Sequence, residues 1–274
     1  MSHNLSLSVI ILTRDEEVHL ARCIASVKKV ASRIFVVDSG STDRTVEIAK
    51  KHGAEVFSHP FENQAQQFNW ALDNLPIPGG WILRLDADEY LTEELSGEIA
   101  EKLSEVSDDV SGFLMKRRVY FLGRWIKHGG YYPIWILRLF RKGKARSEER
   151  EMDEHIEVLS GRIEKFENDF VDDNKKGLAS WTAKHNDYST REVSSRLRER
   201  NSVSRKGASG EHPFRSGVFS IFPPLWRAFL YFLYRYVFRF GFLDGKEGLI
   251  FHVLQGFWYR FLIDAKLYEA ERNA

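Results

Sequence analysis

From Leu7 to Leu85 the chain switches repeatedly between short β-branched apolar runs and segments with helical apolar spacing. Leu7 to Thr13 reads as a strand, and the segment after it can place Val18, Ala21, Ile24, Ala25 and Val27 on one helical face. The order then recurs: strand Arg33 to Val37, helix Thr42 to His52, strand Ala54 to Ser58, helix Gln64 to Leu75, strand Trp81 to Leu85. Such alternation predicts an α/β fold, a mostly parallel sheet with helices on both faces. In sheets of this kind ligands bind beyond the carboxyl ends of the strands. There the chain collects its polar residues: Thr13 to Glu16, Asp38 to Asp43, and Asp86 to Glu89.

Beyond a predicted helix over Thr92 to Val106, the pattern changes to strands and loops, including Gly112 to Phe121 and Ile134 to Arg141. Glu148 to Asn174 is strongly charged, a polar helix is expected from about Asp187, and from Gly217 to Tyr268 Phe, Tyr, Trp and Leu dominate. These shifts divide the chain into a first domain over 1–216, in halves to about 110 and after it, and a C-terminal helical region over 217–274. Forty Lys and Arg against 39 Asp and Glu leave a net charge of +1, so no whole-protein field favours nucleic acid as a partner. Cys23 is the single cysteine, and the first residues lack the pattern of a secretory leader, so a cytoplasmic location is expected.

The most informative string is Trp81-Ile-Leu-Arg84-Leu-Asp86-Ala-Asp88-Glu89, a buried strand ending in two carboxylates at i and i+2. In extended backbone these would lie on one side, roughly 7 Å apart. A hard divalent cation, Mg²⁺ or Mn²⁺, suits that pair, since such ions take one or two carboxylates and complete their shell with water and phosphate oxygens. A solvated acidic turn produces the same string. The context argues for a site, because two other acidic strand ends should converge on it. Of these, Asp38-Ser-Gly40-Ser41-Thr42-Asp43 also reads as a turn and helix cap, and Thr13-Arg14-Asp15-Glu16 as a capped helix start.

Val9-Ile-Ile-Leu-Thr-Arg-Asp-Glu, Val36-Val-Asp-Ser-Gly-Ser-Thr-Asp-Arg-Thr, Gln67-Phe-Asn69-Trp-Ala-Leu and Trp81 to Glu89, in this order, resemble family-2 glycosyltransferases of the GT-A fold. The branch most similar contains lipopolysaccharide-core β-glucosyltransferases and exopolysaccharide glycosyltransferases, and the likeness spans about the first 160 residues. It implies inverting, metal-dependent transfer of a sugar from a nucleotide-diphosphate sugar to a saccharide or lipid-linked saccharide, with a nucleotide half over about 1–110 and an acceptor half over about 111–216 of the catalytic domain. By the same resemblance Thr13, Glu16 and Asp38 would bind the nucleoside, Asp86 the ribose or sugar, and Asp88, with Asp86, the metal. Arg14, Gln67, Asn69 and Arg84 belong to the same motifs and join the expected donor-binding set. Asp15 stands where the family more often has Asn.

Family members carry a general base downstream, and Glu151-Met-Asp153-Glu154-His155 supplies the candidates, Glu154 first and Asp153 as its alternate. Arg117, Arg118, Arg138 and Arg141 could meet a diphosphate or an anionic acceptor, and His128-Gly-Gly-Tyr-Tyr132 could offer aromatic faces to a sugar. In the C-terminal region charged residues interrupt every apolar run before it reaches the roughly 20 residues of a spanning helix. A helix beginning after Pro224 would gather Arg227, Arg235 and Arg239 into a stripe beside aromatic residues, which suits peripheral contact with the anionic inner face of the cytoplasmic membrane. Two other readings stand beside the transferase: a sugar-phosphate nucleotidyltransferase, although the loop after the first strand has no glycine, and a non-catalytic nucleotide-sugar-binding scaffold.

Overall fold

A computed structural model describes residues 6–148, 155–202 and 222–273. The chain divides into two compact units, residues 1–120 with 133–175, and residues 121–132 with 176–274. This division differs from the one drawn at 216 from composition. The segment 121–132 and the polar helix group with the aromatic C-terminal region, because chain order need not follow packing.

The elements of the first unit are β1 (Leu7–Thr13), α1 (Leu20–Val27), β2 (Arg33–Asp38), α2 (Thr45–Lys51), β3 (Glu55–Ser58), α3 (Gln64–Asn74), β4 (Trp81–Asp86), β5 (Glu89–Leu91), α4 (Glu93–Glu105) and β6 (Val110–Phe121, its last residue in the second unit). After the short strand β7 (Arg124–Trp125) of the second unit come β8 (Trp135–Arg141), β9 (Ala145–Ser147), β10 (Ile156–Val158) and β11 (Arg162–Asp173). The main sheet runs β3-β2-β1-β4-β8-β6-β11-β5. Its β3-β2-β1-β4 half is parallel, as alternation predicted, whereas β8 is antiparallel to both β4 and β6. β9 and β10 form a separate antiparallel pair.

Successive side chains of a strand alternate between faces, and here both faces are covered, which is why β1 is apolar almost throughout. Leu7, Val9 and Ile11 enter one core cluster with Leu20, Cys23, Ile24 and Val27 of α1, while Ile10 and Leu12 enter the other with Phe35, Phe68 and Phe140. Fully burying each such side chain contributes about 1.5–3 kcal/mol. Arg84 occupies the second face of β4, where its guanidinium lies 5.0 Å from the Phe68 ring centre. The buried stripe of α1 is Leu20, Cys23, Ile24 and Val27, so the expected face shifts: Val18 is 58% exposed because the helix begins only at Leu20. Thr92 caps α4 by accepting from Leu95 N at 3.2 Å, and Asn63 caps α3 by accepting from Gln66 N at 2.8 Å. The strongly charged stretch contains the twelve-residue strand β11, which gives Phe166 and Phe170 to the first core cluster.

In the second unit α5 (Gly177–Ser202) begins ten residues before the expected start at Asp187. Lys266, on the C-terminal helix Tyr259–Arg272, donates to Asn186 O, Ser189 Oγ and Thr190 Oγ1 of α5. The Arg stripe is overturned. The helix Trp226–Leu233 passes into wider turns over Tyr234–Phe238, so a count of 100° per residue does not carry through. Arg227 donates to Asp264, and Arg235 to Gly129 O and Tyr231 Oη, leaving only Arg239 of the three exposed. No helix among the described residues is long and apolar enough to cross a membrane.

Candidate functional site

Register brings the predicted strand ends together. Thr13 is paired with Asp38, and Leu12 with Asp86, so the central strand β1 lies between β2 and β4. The chain turns from one side of β1 to the other here, and such a switch point opens a crevice at the carboxyl ends. Asp38 builds its own turn: it accepts from Gly40 N and Ser41 N at 3.0 Å, Ser41 Oγ at 2.5 Å and Thr13 Oγ1 at 3.2 Å. Gly40, at φ +82°, makes that turn possible.

The first and second strand-end loops are laced to each other. Asp15 N donates to Ser41 Oγ at 2.8 Å, and the Asp15 carboxylate accepts from Thr42 N at 2.7 Å. That backbone donor holds the Asp15 carboxyl below its ordinary range, so the acid at the unusual position organises the loop. Its φ of +53° lies in the left-handed region that Asn and Asp tolerate.

β4 ends at Asp86, and Ala87-Asp88 turns into β5, so the two carboxylates do not share an extended backbone as expected. Their surroundings differ sharply. Asp86 accepts from Gln64 Nε2 at 3.1 Å and faces two guanidinium groups, Arg138 Nη2 at 3.4 Å and Arg84 Nη2 at 3.7 Å. Asp88 accepts one amide, Asn174 Nδ2 at 2.9 Å, on Oδ2, and among the described residues no cation pairs with its carboxylate. Asp88 therefore keeps an anionic oxygen for a cation, whereas the charge of Asp86 is already balanced. No cluster of three metal-ligating side chains exists among the described residues, so a cation held at Asp88 would draw most of its shell from phosphate and water. The donor set fits Mg²⁺ or Mn²⁺ in that sense.

Glu89 pairs with Arg138 inside the sheet and accepts from Asp86 N at 3.0 Å. Burial raises the Glu89 carboxyl above the ordinary range, opposed by Arg138. Burial depresses Arg138 in turn, but Glu89 and Asp86 more than offset it, and the guanidinium is held above its ordinary value.

A third segment, absent from the sequence reading, supports the Asp88 turn. Asp173 N donates to Asp88 O at 3.1 Å, and Arg22 of α1 grips Asp173 through Oδ2 at 2.5 Å and O at 2.7 Å. His19, fully buried, accepts from Lys175 N on Nε2 at 2.8 Å. A backbone N–H can only donate, so the proton sits on Nδ1, which donates to Glu16 Oε2 at 2.6 Å. One chain of contacts thus runs from Glu16 through His19 to Lys175, whose neighbour Asn174 holds Asp88. By sequence, 148–174 is strongly charged and holds the base candidates, with no role expected of Asp173, Asn174 or Lys175.

Other expected residues are committed elsewhere. Buried Gln67 fastens His59 and Ser39, donating to Ser39 Oγ at 2.9 Å. Asn69 spends its amide on Ser147, donating to O at 2.9 Å and accepting from N at 3.0 Å; it anchors β9 and makes no hydrogen bond to Asp38, Asp86 or Asp88. Arg14 is exposed. Arg117 and Arg118 pair with Asp172 and Asp169, and Arg141 donates to Val110 O and Ser107 O, so none of the three is a free anion contact as expected. Arg138 is the exception, reaching the site through Asp86. Glu154 and Asp153 lie outside the described residues.

The model of glycosyl transferase family 2 matches residues 8–152. The lipopolysaccharide core biosynthesis glycosyltransferase LpsC of Rhizobium meliloti is 29% identical over 98% of this chain and 94% of its own. An uncharacterized glycosyltransferase of Rickettsia conorii is 43% identical, over 34% of this chain and 32% of its own. Among solved structures, S. aureus TarS 1-349 aligns with a TM-score of 0.44 at 16% identity, covering 68% of this chain and 64% of that one. Glucosyl-3-phosphoglycerate synthase from Mycobacterium tuberculosis, crystallised with Mn²⁺, UDP and glucosyl-3-phosphoglycerate, aligns with a TM-score of 0.35 at 20% identity, covering 42% and 44%. With strand order, strand-end site and family match in accord, the chain belongs to glycosyl transferase family 2 and is a glycosyltransferase of the GT-A fold.

Proposed function

We propose that this glycosyltransferase moves a sugar, with inversion, from a nucleotide-diphosphate sugar to a saccharide or lipid-linked saccharide in the assembly of a cell-surface polysaccharide such as the lipopolysaccharide core. The observation that carries the reading is the contrast between Asp88, with an uncommitted carboxylate oxygen, and Asp86, neutralised by Arg84 and Arg138. The near full-length likeness to LpsC supports the lipopolysaccharide assignment.

The laced loops 13–17 and 38–45 form the floor for the nucleoside, with Thr13, Glu16 and Asp38 at its edge. Asp86, its charge balanced, accepts from ribose or sugar hydroxyls, and Asp88 binds the divalent cation. When bound, that cation takes up negative charge on the departing diphosphate. Glu154, or Asp153 beside it, removes the proton of the acceptor hydroxyl as that oxygen attacks the anomeric carbon. With Mn²⁺ present the protein should hydrolyse its nucleotide-sugar donor slowly, and EDTA should stop this. Glu154→Gln is expected to keep donor affinity and lower kcat by about a hundredfold or more, with Asp153→Asn less damaging. The opposite order assigns the base to Asp153; activity undiminished by EDTA removes the metal from the reading.

The second unit is the proposed contact with the membrane surface. Phe238, Phe240 and Phe242 are 71%, 57% and 45% exposed, and Phe240 sits at φ +60°, a conformation that strains a large side chain. Such rings enter the headgroup boundary readily, and they replace the Arg stripe as the element responsible. Co-sedimentation with phosphatidylglycerol vesicles should be lost when the three are changed to Ser; a wild type that ignores such vesicles in low salt removes this contact.

A further inference from the structure

Within the second unit, the loop His128-Gly129-Gly130 gathers cationic groups that the transfer chemistry above does not use. Asp244, 2% exposed, accepts from His128 N at 2.9 Å and from His128 Nδ1 at 2.6 Å. The imidazole is thereby oriented, and Nε2 is its uncommitted atom among the described residues. Such a nitrogen accepts from a hydroxyl or, when protonated, donates to an oxyanion.

Two guanidinium groups meet the same loop. Arg235 is held rigidly: Nε donates to Gly129 O at 2.5 Å, Nη1 to Tyr231 Oη at 2.7 Å, and its plane lies 3.8 Å from the centre of the Tyr131 ring. Arg239 Nη1 donates to Tyr234 Oη at 3.2 Å, and Gly129 N donates to Arg239 O at 2.8 Å. In both arginines Nη2 carries no hydrogen bond among the described residues, and neither has a carboxylate partner there. A Cβ built on Gly130 would stand 3.6 Å from Arg239 Nη2 and 3.7 Å from Arg235 Nη2, so both nitrogens reach the space that the missing side chain leaves.

The glycines keep that space. Gly129 and Gly130 have φ of +69° and +76°, and a Cβ on Gly129 would fall 2.0 Å from Cε1 of the buried His252. His252 itself stays uncharged at neutral pH, its pKa lowered to about 4 by burial and by Arg235. The acidic group facing the cluster, Asp244, is spent on His128. Two guanidinium nitrogens without a carboxylate partner among the described residues, set around an exposed glycine, are complementary to a tetrahedral oxyanion, and the oriented imidazole belongs to the same loop.

We propose that Gly130, Arg235 and Arg239, with His128 of the same loop beside them, form a binding site for a phosphate group, carried in the transfer reaction by a phosphorylated saccharide acceptor. The phosphate chemistry stands on the loop alone; the acceptor's identity as a saccharide rests on the transferase reading. The test follows the His128 imidazole signals by NMR, with EDTA present, as full-length protein is titrated with inorganic phosphate, glucose 6-phosphate and glucose. Saturable shifts with the two phosphates and none with glucose are expected. Arg239→Gln, at an exposed position with one long hydrogen bond, and His128→Gln, which lacks the reporting imidazole, should each weaken phosphate binding by about tenfold in calorimetric titration. Asp88→Asn should titrate like wild type, so loss of transfer in that variant bears on the metal site and leaves this one standing. Signals unmoved by either phosphate, or unchanged affinity in both loop variants, overturn the proposal. A response confined to phosphatidylglycerol vesicles, absent with phosphatidylcholine, assigns these nitrogens to a lipid headgroup and overturns the saccharide source.

Discussion

Asp88→Asn is expected to lower sugar transfer by about 10²–10³-fold while leaving the protein folded, because the amide removes the anionic oxygen that Asp88 keeps clear of any cation among the described residues. Folding should survive, since Asp88 contributes one side-chain hydrogen bond, to Asn174, and none of the apolar core. The supporting contacts predict a graded companion. Asn174→Ala leaves the carboxylate in place but unheld, and losses of this kind typically cost about 10–100-fold in metal affinity. Mn²⁺ binding in the presence of UDP, followed by the EPR signal of the free ion, separates the two from folding defects. Asp88→Asn with near-normal turnover at saturating donor would sink the metal assignment. Asn174→Ala with wild-type Mn²⁺ affinity would show that Asp88 needs no orienting partner.

The second large effect concerns stability. Arg138→Met should destabilise the first unit by about 3–5 kcal/mol, because it leaves the 2%-exposed Glu89 without its cation. The size follows from removing one partner of a buried pair, which exposes the other to the full desolvation penalty. Arg138→Met combined with Glu89→Gln should recover part of the loss, since a neutral amide needs no counter-charge. Urea unfolding of the two variants against wild type measures both numbers. A single variant that loses less than about 1 kcal/mol would place the pair with the weak, solvated class.

Much of the nucleotide half was legible in the sequence. Strands β1 to β4 and their helices follow from apolar period, and their boundaries differ from expectation by at most three residues. The reason is that all but β3, which has no fully buried residue, bury side chains in the core, where period and burial are the same signal. The polar elements were less readable. β11 carries charge that composition assigns to solvent, yet it pairs with β6 and β5, and its Asp169 and Asp172 find Arg118 and Arg117.

The site divides in the same way. Thr13, Asp38, Asp86 and Asp88 stand at strand ends because alternation and strand length put them there, and any chain with this pattern would align them. Their division of labour came from residues distant in sequence: Arg138 lies 52 positions from Asp86, and Asn174 lies 86 from Asp88. Likewise the Arg227 stripe assumed one uniform helix, and packing spent Arg227 on Asp264 and Arg235 on the Gly129 carbonyl. Periodicity records which side of an element is buried, and so the sequence by itself determined the sheet and the place of the crevice. Which carboxylate is neutralised and which remains open depends on charges brought within about 4 Å by the fold, where pairing energies in a low-dielectric interior are large, and only the tertiary structure decided that.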